Sequence, residues 1–471
     1  MGVLNFVWLT LLTVGSLAAH LPNEHGRSAE EKDGFHLNPG KKWVLLVAGS
    51  YGWNRGYRHQ ADVCHAYQII KRNGIPEENI IVMMMDDIAY HPRNPTPGVI
   101  INRPNGTNVY DGVIIDYKGA DVNSTNFINI ITGNKAAMKS IGSGKVIEGG
   151  PHDTIFISFA DHGNTGVVAF PNDFLFADDL NLALDTMFLN KMYSKMLLYF
   201  EACNSGSMFD GFLSEVTKVF AITSAGPRED SWGCYCHEDS GPYKTCLGDY
   251  FSVTWMEDLD ATLFDHSEKK VTAFNNFQKI RSKVTDADVM AYGDFCAGNE
   301  KLSTYIGSPR RPPPPPSNEQ RIMEKISMSS RDVEENHLKY QLAHDDQLTE
   351  HEKENIRNEL RQNNEKRLII DGVFSDIYSK IVGARPQIKK QIGELYQPKN
   401  LKLTLDMFPC YKSIIKRITE SCFSLTQNPH TMNGMKIFAN LCVVDNQAHY
   451  SVESYIDESC SSIPTDILNV F

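Results

Sequence analysis

Positive charge is what this chain is short of: its 471 residues carry 46 Lys and Arg against 58 Asp and Glu, a formal net charge of −12. That deficit argues against a protein that grips nucleic acid phosphate over much of its surface. Long apolar runs are scarce as well. Residues 3–17 form one, and no later stretch approaches the ~20 residues of a membrane span. A Gly-rich phosphate loop, a Ser-His-Asp order, a metal-binding His pair and an internal repeat are also missing, so no cofactor, no metal and no nucleic acid partner is expected. Charged residues make up 22% and hydrophobic ones 41%, with 33 Gly, 22 Pro and ten Cys. This composition is globular, with room for two or three domains, and excludes collagen and disulfide miniproteins.

The run at 3–17 has the length of a signal-peptide core, and Ser16 and Ala18 supply the small residues of a cleavage site. No stop-transfer charges follow it, so a soluble, secreted mature protein is expected. Asn105-Gly-Thr and Asn123-Ser-Thr are acceptor tripeptides for N-glycosylation on that route. Residues 43–48, 80–85, 154–160, 196–202 and 219–224 read as buried strands. Val63, Ala66, Tyr67 and Ile70 recur at helical spacing between the first two. Alternating strands and helices imply an α/β domain, a mainly parallel sheet with helices on both faces and its site beyond the carboxyl ends of the strands. A polyproline stretch from Pro309 marks a boundary, and residues 319–367 read as solvated helix or exposed linker. Beyond about Ile370 the pattern is helical, with Cys410, Cys422, Cys442 and Cys460 as a disulfide framework of three possible pairings.

Two strand ends carry reactive groups. Residues 154–160 run into Asp161-His162-Gly163, and residues 196–202 run into Cys203-Asn204-Ser205. If the strands are neighbours, His162 and Cys203 face one cleft, where a thiol with a nearby base becomes a nucleophile. A helix starting near Ser205 would favour the thiolate. The Gly163 and Cys203 amides are placed to hold an oxyanion. Cys236 and Cys246 flank a short loop that a disulfide would staple; zinc at Cys234, Cys236 and His237 is disfavoured by the tight spacing.

Ala160-Asp-His-Gly and Glu201-Ala-Cys-Asn-Ser-Gly-Ser resemble the His and Cys blocks of the legumain family of asparaginyl endopeptidases, as do Val47-Ala-Gly-Ser, Tyr57-Arg-His-Gln-Ala-Asp and Leu247-Gly-Asp. The resemblance implies a caspase-like α/β fold followed by a helical, disulfide-stapled prodomain. It also implies a cysteine endopeptidase that cuts protein and peptide substrates after Asn, and after Asp at acidic pH. By the same resemblance His162 and Cys203 are the catalytic pair, with Gly163 beside the oxyanion. Arg58, His59, Glu201, Ser231 and Asp249 surround the pocket for the residue before the cut. A guanidinium and a carboxylate suit an Asn carboxamide, which has one acceptor and one donor face. The implied pairings are Cys410 with Cys442 and Cys422 with Cys460, leaving Cys64, Cys234 and Cys296 unpaired. The expected layout is a leader over 1–18, an extension over 19–42, a peptidase domain over 43–308, an activation linker over 309–346 and a prodomain over 347–471. A lysosomal, endosomal or extracellular acidic compartment and protein inhibitors of cysteine peptidases belong to the same expectation.

The chain departs from the family pattern in four places. Gly56 stands where an Asn usually partners the catalytic His, with Asn54 a candidate to replace it. Asn204 replaces an acidic residue after the nucleophile, Asp230 replaces a Ser beside Ser231, and Ala160 replaces Thr or Ser. Residues 383–471 carry nine basic against eight acidic residues, so a slightly basic cap would face an acidic peptidase and let go as its carboxylates are protonated. Asn336, Asp345 and Asp346 are the candidate cleavage sites. Competing readings are a ligase or transamidase of the same fold, and a catalytically weak binding protein.

Overall fold

The computed structural model describes residues 40–262, 271–309, 326–346, 348–427, 429–461 and 463. The expected leader, nearly all of the extension after it and all but the first residue of the polyproline stretch lie outside them. Six strands build the central sheet: β1 (Lys42–Ala48), β2 (Ile80–Met83), β3 (Thr154–Ala160), β4 (Lys195–Glu201), β5 (Val219–Thr223) and β6 (Met290–Gly293). Their spatial order is β6-β5-β4-β3-β1-β2, parallel except for β6, which runs antiparallel along β5.

Period-two alternation shares each strand between two apolar layers. Leu45 and Val47 face the helices Ser124–Ile131 and α2 (Ala177–Leu189), while Val44 and Leu46 face α1 (Trp53–Arg72), Tyr250–Thr262 and Ala273–Lys283. Both faces are covered, which is why the strands read as unbroken apolar runs. Helix α1 begins ten residues before the apolar spacing at Val63 that suggested it. The chain crosses from one side of β1 to the other between β2 and β3. The crevice at such a switch point lies beyond the carboxyl ends of β1 and β3.

Of residues 319–367, read as solvated helix or exposed linker, those described from 326 onward are mostly helical. A strand, Ser327–Ser329, and α3 (Val333–His344) lie against the sheet domain. Helix α4 (Glu350–Ala384) follows, started by a reciprocal cap between Thr349 and Glu352. Its charged first half is solvated; Ile370, Phe374, Ile377 and Ile381 then enter the core. Helices α5 (Phe408–Ser421), α6 (Met432–Val444) and α7 (His449–Cys460) complete the C-terminal module. Disulfides Cys410–Cys442 and Cys422–Cys460 tie α5 to α6 and to the end of α7, and Cys236–Cys246 staples its loop. Phe408 meets Phe212 at 5.6 Å and Tyr411 meets Phe176 at 6.0 Å between ring centroids, so one apolar core joins module and sheet domain.

Candidate active site

β3 and β4 pair in register, Ala160 beside Glu201, so the residues leaving them emerge side by side. The Asp161 amide donates to the Glu201 carbonyl at 3.0 Å. His162 follows on one strand end and Cys203 on the other, both buried. Gly163 presses on the thiol's own backbone: a Cβ there would sit 2.4 Å from the Cys203 carbonyl oxygen. Only glycine permits that approach. Gly163→Ala is therefore expected to cost about 1–3 kcal/mol in urea unfolding, the usual penalty for overpacking a rigid site. An unchanged midpoint would contradict this packing.

Asn204 turns the chain sharply, with φ +56° and ψ 18°, a left-handed conformation that Asn tolerates. Ser205–Met208 then form a single 3₁₀ turn. The helix expected at Ser205 is absent, because the left-handed residue sends the chain into this short turn. The positive charge near the thiol comes instead from Arg331. The Cys203 Sγ accepts the Ser231 amide at 3.3 Å and lies 3.6 Å from the Ser231 hydroxyl. Burial pushes this thiol up to about 11, against the pull of the Arg331 guanidinium. His162 is pushed well below its ordinary value by burial and then by Arg58, Arg331 and Arg55. Thiol and imidazole are both neutral in this closed state.

Neither ring nitrogen of His162 has a hydrogen-bond partner among the described residues. Gly56 cannot be exchanged for the family's Asn in place, because a Cβ would meet the Tyr51 backbone at 2.7 Å. Asn54, the expected substitute, is buried in the first turn of α1 and makes no bond to His162. The His162 ring instead stands edge-on to His59, centroids 5.2 Å apart. His59, Asp161 and His162 offer ligand atoms within 4.8 Å of one another, the one group among the described residues close enough to hold a metal.

Near the thiol lies a buried polar cluster. Arg58 Nε bonds Asp249 Oδ1 at 2.8 Å, and His59 Nε2 lies 3.4 Å from Asp249 Oδ2. Glu201 accepts the amide and hydroxyl of Ser252, both at 3.2 Å. Burial, and then the Asp249 charge, push Glu201 up to about 8. Ser231 closes the side next to Cys203. The five residues expected around the pocket thus converge. Sequence reasoning missed Asp62, whose carboxylate accepts the Asp249 amide at 3.2 Å, Ser50, which bonds the His59 ring, and Ser252. Asp62 was findable, since it stands one helical turn after Arg58.

A segment of the chain itself covers this cluster. Ser327–Ser329 pair antiparallel with Trp232–Cys234, which in turn pairs with Gly248–Asp249. The next residue, Ser330, donates its amide to the Ser231 carbonyl at 2.9 Å and accepts from the Ser231 hydroxyl at 3.1 Å. Its carbonyl accepts from Arg58 at 3.5 Å. Arg331 then bonds Asp230 at 2.7 Å, Asn204 at 2.8 Å and the Gly163 carbonyl at 3.1 Å. The Asp332 amide returns to the Ser329 carbonyl at 3.0 Å, closing a turn that leads into α3. Met328 and Val333 pack on the Cys236–Cys246 disulfide.

Two family models match the chain: the peptidase C13 family over residues 42–308, and the legumain prodomain over 358–460. Legumain of Mus musculus is 40% identical over 90% of this chain and 93% of its own length. Legumain of Homo sapiens is 39% identical over 86% and 89%. The vacuolar-processing enzyme of Vicia sativa is 35% identical over 97% and 95%. Caspase-1 of Spodoptera frugiperda overlaps 58% of this chain and 91% of its own, at 12% identity and a TM-score of 0.32, too loose to support an argument.

Proposed function

The chain is a cysteine endopeptidase of the peptidase C13 family with a legumain-type prodomain, and we propose that it cuts after Asn, as a zymogen that acid opens. Cys203 is the nucleophile, His162 the base, and the Gly163 and Cys203 amides receive the oxyanion. The observation that carries this reading is the buried Arg58–Asp249 pair near Cys203, a thiol that leaves the sheet on the strand end next to that of His162. Loss of the strap's cover lets water reach both groups, which removes the burial that keeps thiol and imidazole neutral. His162 can then take the Cys203 proton, and the thiolate adds to the main-chain carbonyl carbon of the Asn itself. The amine leaves with the proton from His162, and water releases the acyl group by the same route in reverse.

The strap formed by residues 326–331 fills the site without being a substrate. Ser330 offers no carboxamide, and its carbonyl is held by Arg58 rather than by an oxyanion donor. The turn at Ser329–Asp332 also takes the 330–331 bond out of the extended form a peptidase needs.

Acid sensitivity has a source in α3. His337 is 2% exposed and neither of its nitrogens is hydrogen-bonded among the described residues. His237 stacks on it at 6.4 Å, and Arg93 and Lys244 add positive charge; burial first, then these groups, push His337 down to about 3. Glu238 and His344 flank the same cluster through His237. Once exposed, His337 would titrate near 6.5. Between those values the opened state gains a proton that the closed state refuses, so closure weakens as pH falls, by about 2–3 kcal/mol at pH 4.5.

The expectation that interface carboxylates drive release has the wrong sign at Asp178. Lys412 of the cap bonds Asp178 and Asp179, each at 2.7 Å, yet burial holds Asp178 above the usual carboxylate range. Protonating that group favours closure. His337→Phe should therefore move the pH midpoint of activation down by about one unit, read from the rate at which precursor gains activity across pH. An unmoved midpoint would remove His337 from the mechanism.

Asp346, exposed in the turn between α3 and α4, is the best placed of the candidate cleavage sites. Asn336 lies inside α3 and Asp345 is paired with Lys244. Three disulfides fit an oxidising secretory route into an acidic compartment, and among the described residues no helix is long and apolar enough to cross a membrane. Protein inhibitors of cysteine peptidases would enter the same cleft. Purified precursor should be silent at neutral pH, then lose a C-terminal fragment and cut Asn peptides after acidification. Full activity of uncut precursor at neutral pH would reject the zymogen.

A further inference from the structure

Two of the four departures from the family pattern, Asn204 and Asp230, meet at one place: both hold the guanidinium of Arg331. The antiparallel register that sets Ser329 against Trp232 and Ser330 against Ser231 sets Arg331 against Asp230. Nε donates to Asp230 Oδ1 at 2.7 Å, and one terminal nitrogen donates to Asn204 Oδ1 at 2.8 Å and to the Gly163 carbonyl at 3.1 Å. Asn204 directly follows the thiol and Gly163 directly follows His162, so these acceptors flank the bond under attack. The remaining Asp230 oxygen accepts from Ser329 of the same strap at 2.8 Å. Ser329 and Arg331, which supply these bonds among the described residues, both leave when the strap leaves.

What remains is a site for a cation, all acceptors: the Asn204 amide oxygen on the turn after β4, the Gly163 carbonyl on the strand end after β3, and the Asp230 carboxylate on the segment between β5 and Trp232–Cys234. Their spread matches a planar guanidinium better than a point charge. We propose that in the opened enzyme this cage takes the basic side chain, arginine above lysine, of the substrate residue that follows the cut. The preferred substrate is then a peptide with Asn-Arg at the cleavage site, and the strap holds the cage with the same chemistry. An acidic residue at that position would face Asp230 and be disfavoured. This inference rests on the reading that Cys203 cuts after the residue seated in the Arg58–Asp249 pocket.

The experiment uses acid-activated enzyme and four quenched peptides that differ only in the residue after Asn: Arg, Lys, Ala or Glu. The expected kcat/KM order is Arg, Lys, Ala, Glu, with Arg about tenfold above Ala at low salt and less at 0.5 M NaCl, because Asp230 is partly exposed. Asp230→Ser and Asn204→Ala should each shrink the Arg-to-Ala ratio, and Asp230→Arg should raise Glu above Arg. Asp230→Glu should keep most of the preference, which a purely structural role would not explain. If all four peptides are cut equally, or the ratio survives both Asp230→Ser and Asn204→Ala, the cage is wrong while the Asn reading stands. If no Asn peptide is cut, that reading has failed first.

Discussion

Cys203→Ala precursor, taken to acidic pH, is expected to stay full length and to cleave no peptide, a loss on the order of 10⁵–10⁶ in turnover. The other cysteines cannot substitute. Six are in disulfides, Cys64 and Cys234 are buried in the apolar core, and Cys296 is exposed. The fold should survive, because the thiol bonds the amide and hydroxyl of Ser231 and losing both costs about 1 kcal/mol. His162→Ala should fall nearly as far, since base and nucleophile act as one unit. Near-normal cleavage by folded Cys203→Ala enzyme would end the assignment.

The second large effect concerns the residue before the cut. Opened enzyme should prefer Asn to Leu by about 10⁴-fold in kcat/KM, because an apolar side chain would leave Asp249 Oδ2, Glu201 Oε1 and the Ser231 hydroxyl buried without a partner. Asp should be cut poorly at neutral pH and better as it is protonated near its ordinary value of ~4. Arg58 is already bound to Asp249 and so cannot neutralise a second carboxylate. The sign is thus fixed: Asp cleavage rises as pH falls, relative to Asn cleavage measured in the same solution. A ratio of Asp to Asn cleavage flat from pH 7 to 4 would show that charge does not govern entry.

The two strand ends were legible because buried parallel strands announce themselves as short apolar runs, and the residue that follows each run is fixed by the sheet. β6 was not, since Met290–Gly293 is half-buried on an edge and carries no strong pattern. The strap escaped for a different reason. Ser327-Met-Ser-Ser has no apolar period of its own, and its pairing partner is almost a hundred residues earlier in the chain. Asn204 and Asp230 stood out as departures, yet their purpose depends on Arg331, which sequence spacing cannot bring to them. The pocket illustrates both cases: Asp62 follows Arg58 by one helical turn, whereas Ser252 and Ser50 join only through the folded sheet.

The most direct test of a pocket that reads Asn behind an acid-released strap is a mass-resolved digest of a peptide library by one precursor preparation across pH. No cuts are expected at neutral pH before processing, cuts after Asn once acid has removed the C-terminal fragment, and added cuts after Asp only toward pH 4. Cuts scattered after apolar or basic residues, or Asn cuts by intact precursor at neutral pH, would contradict it.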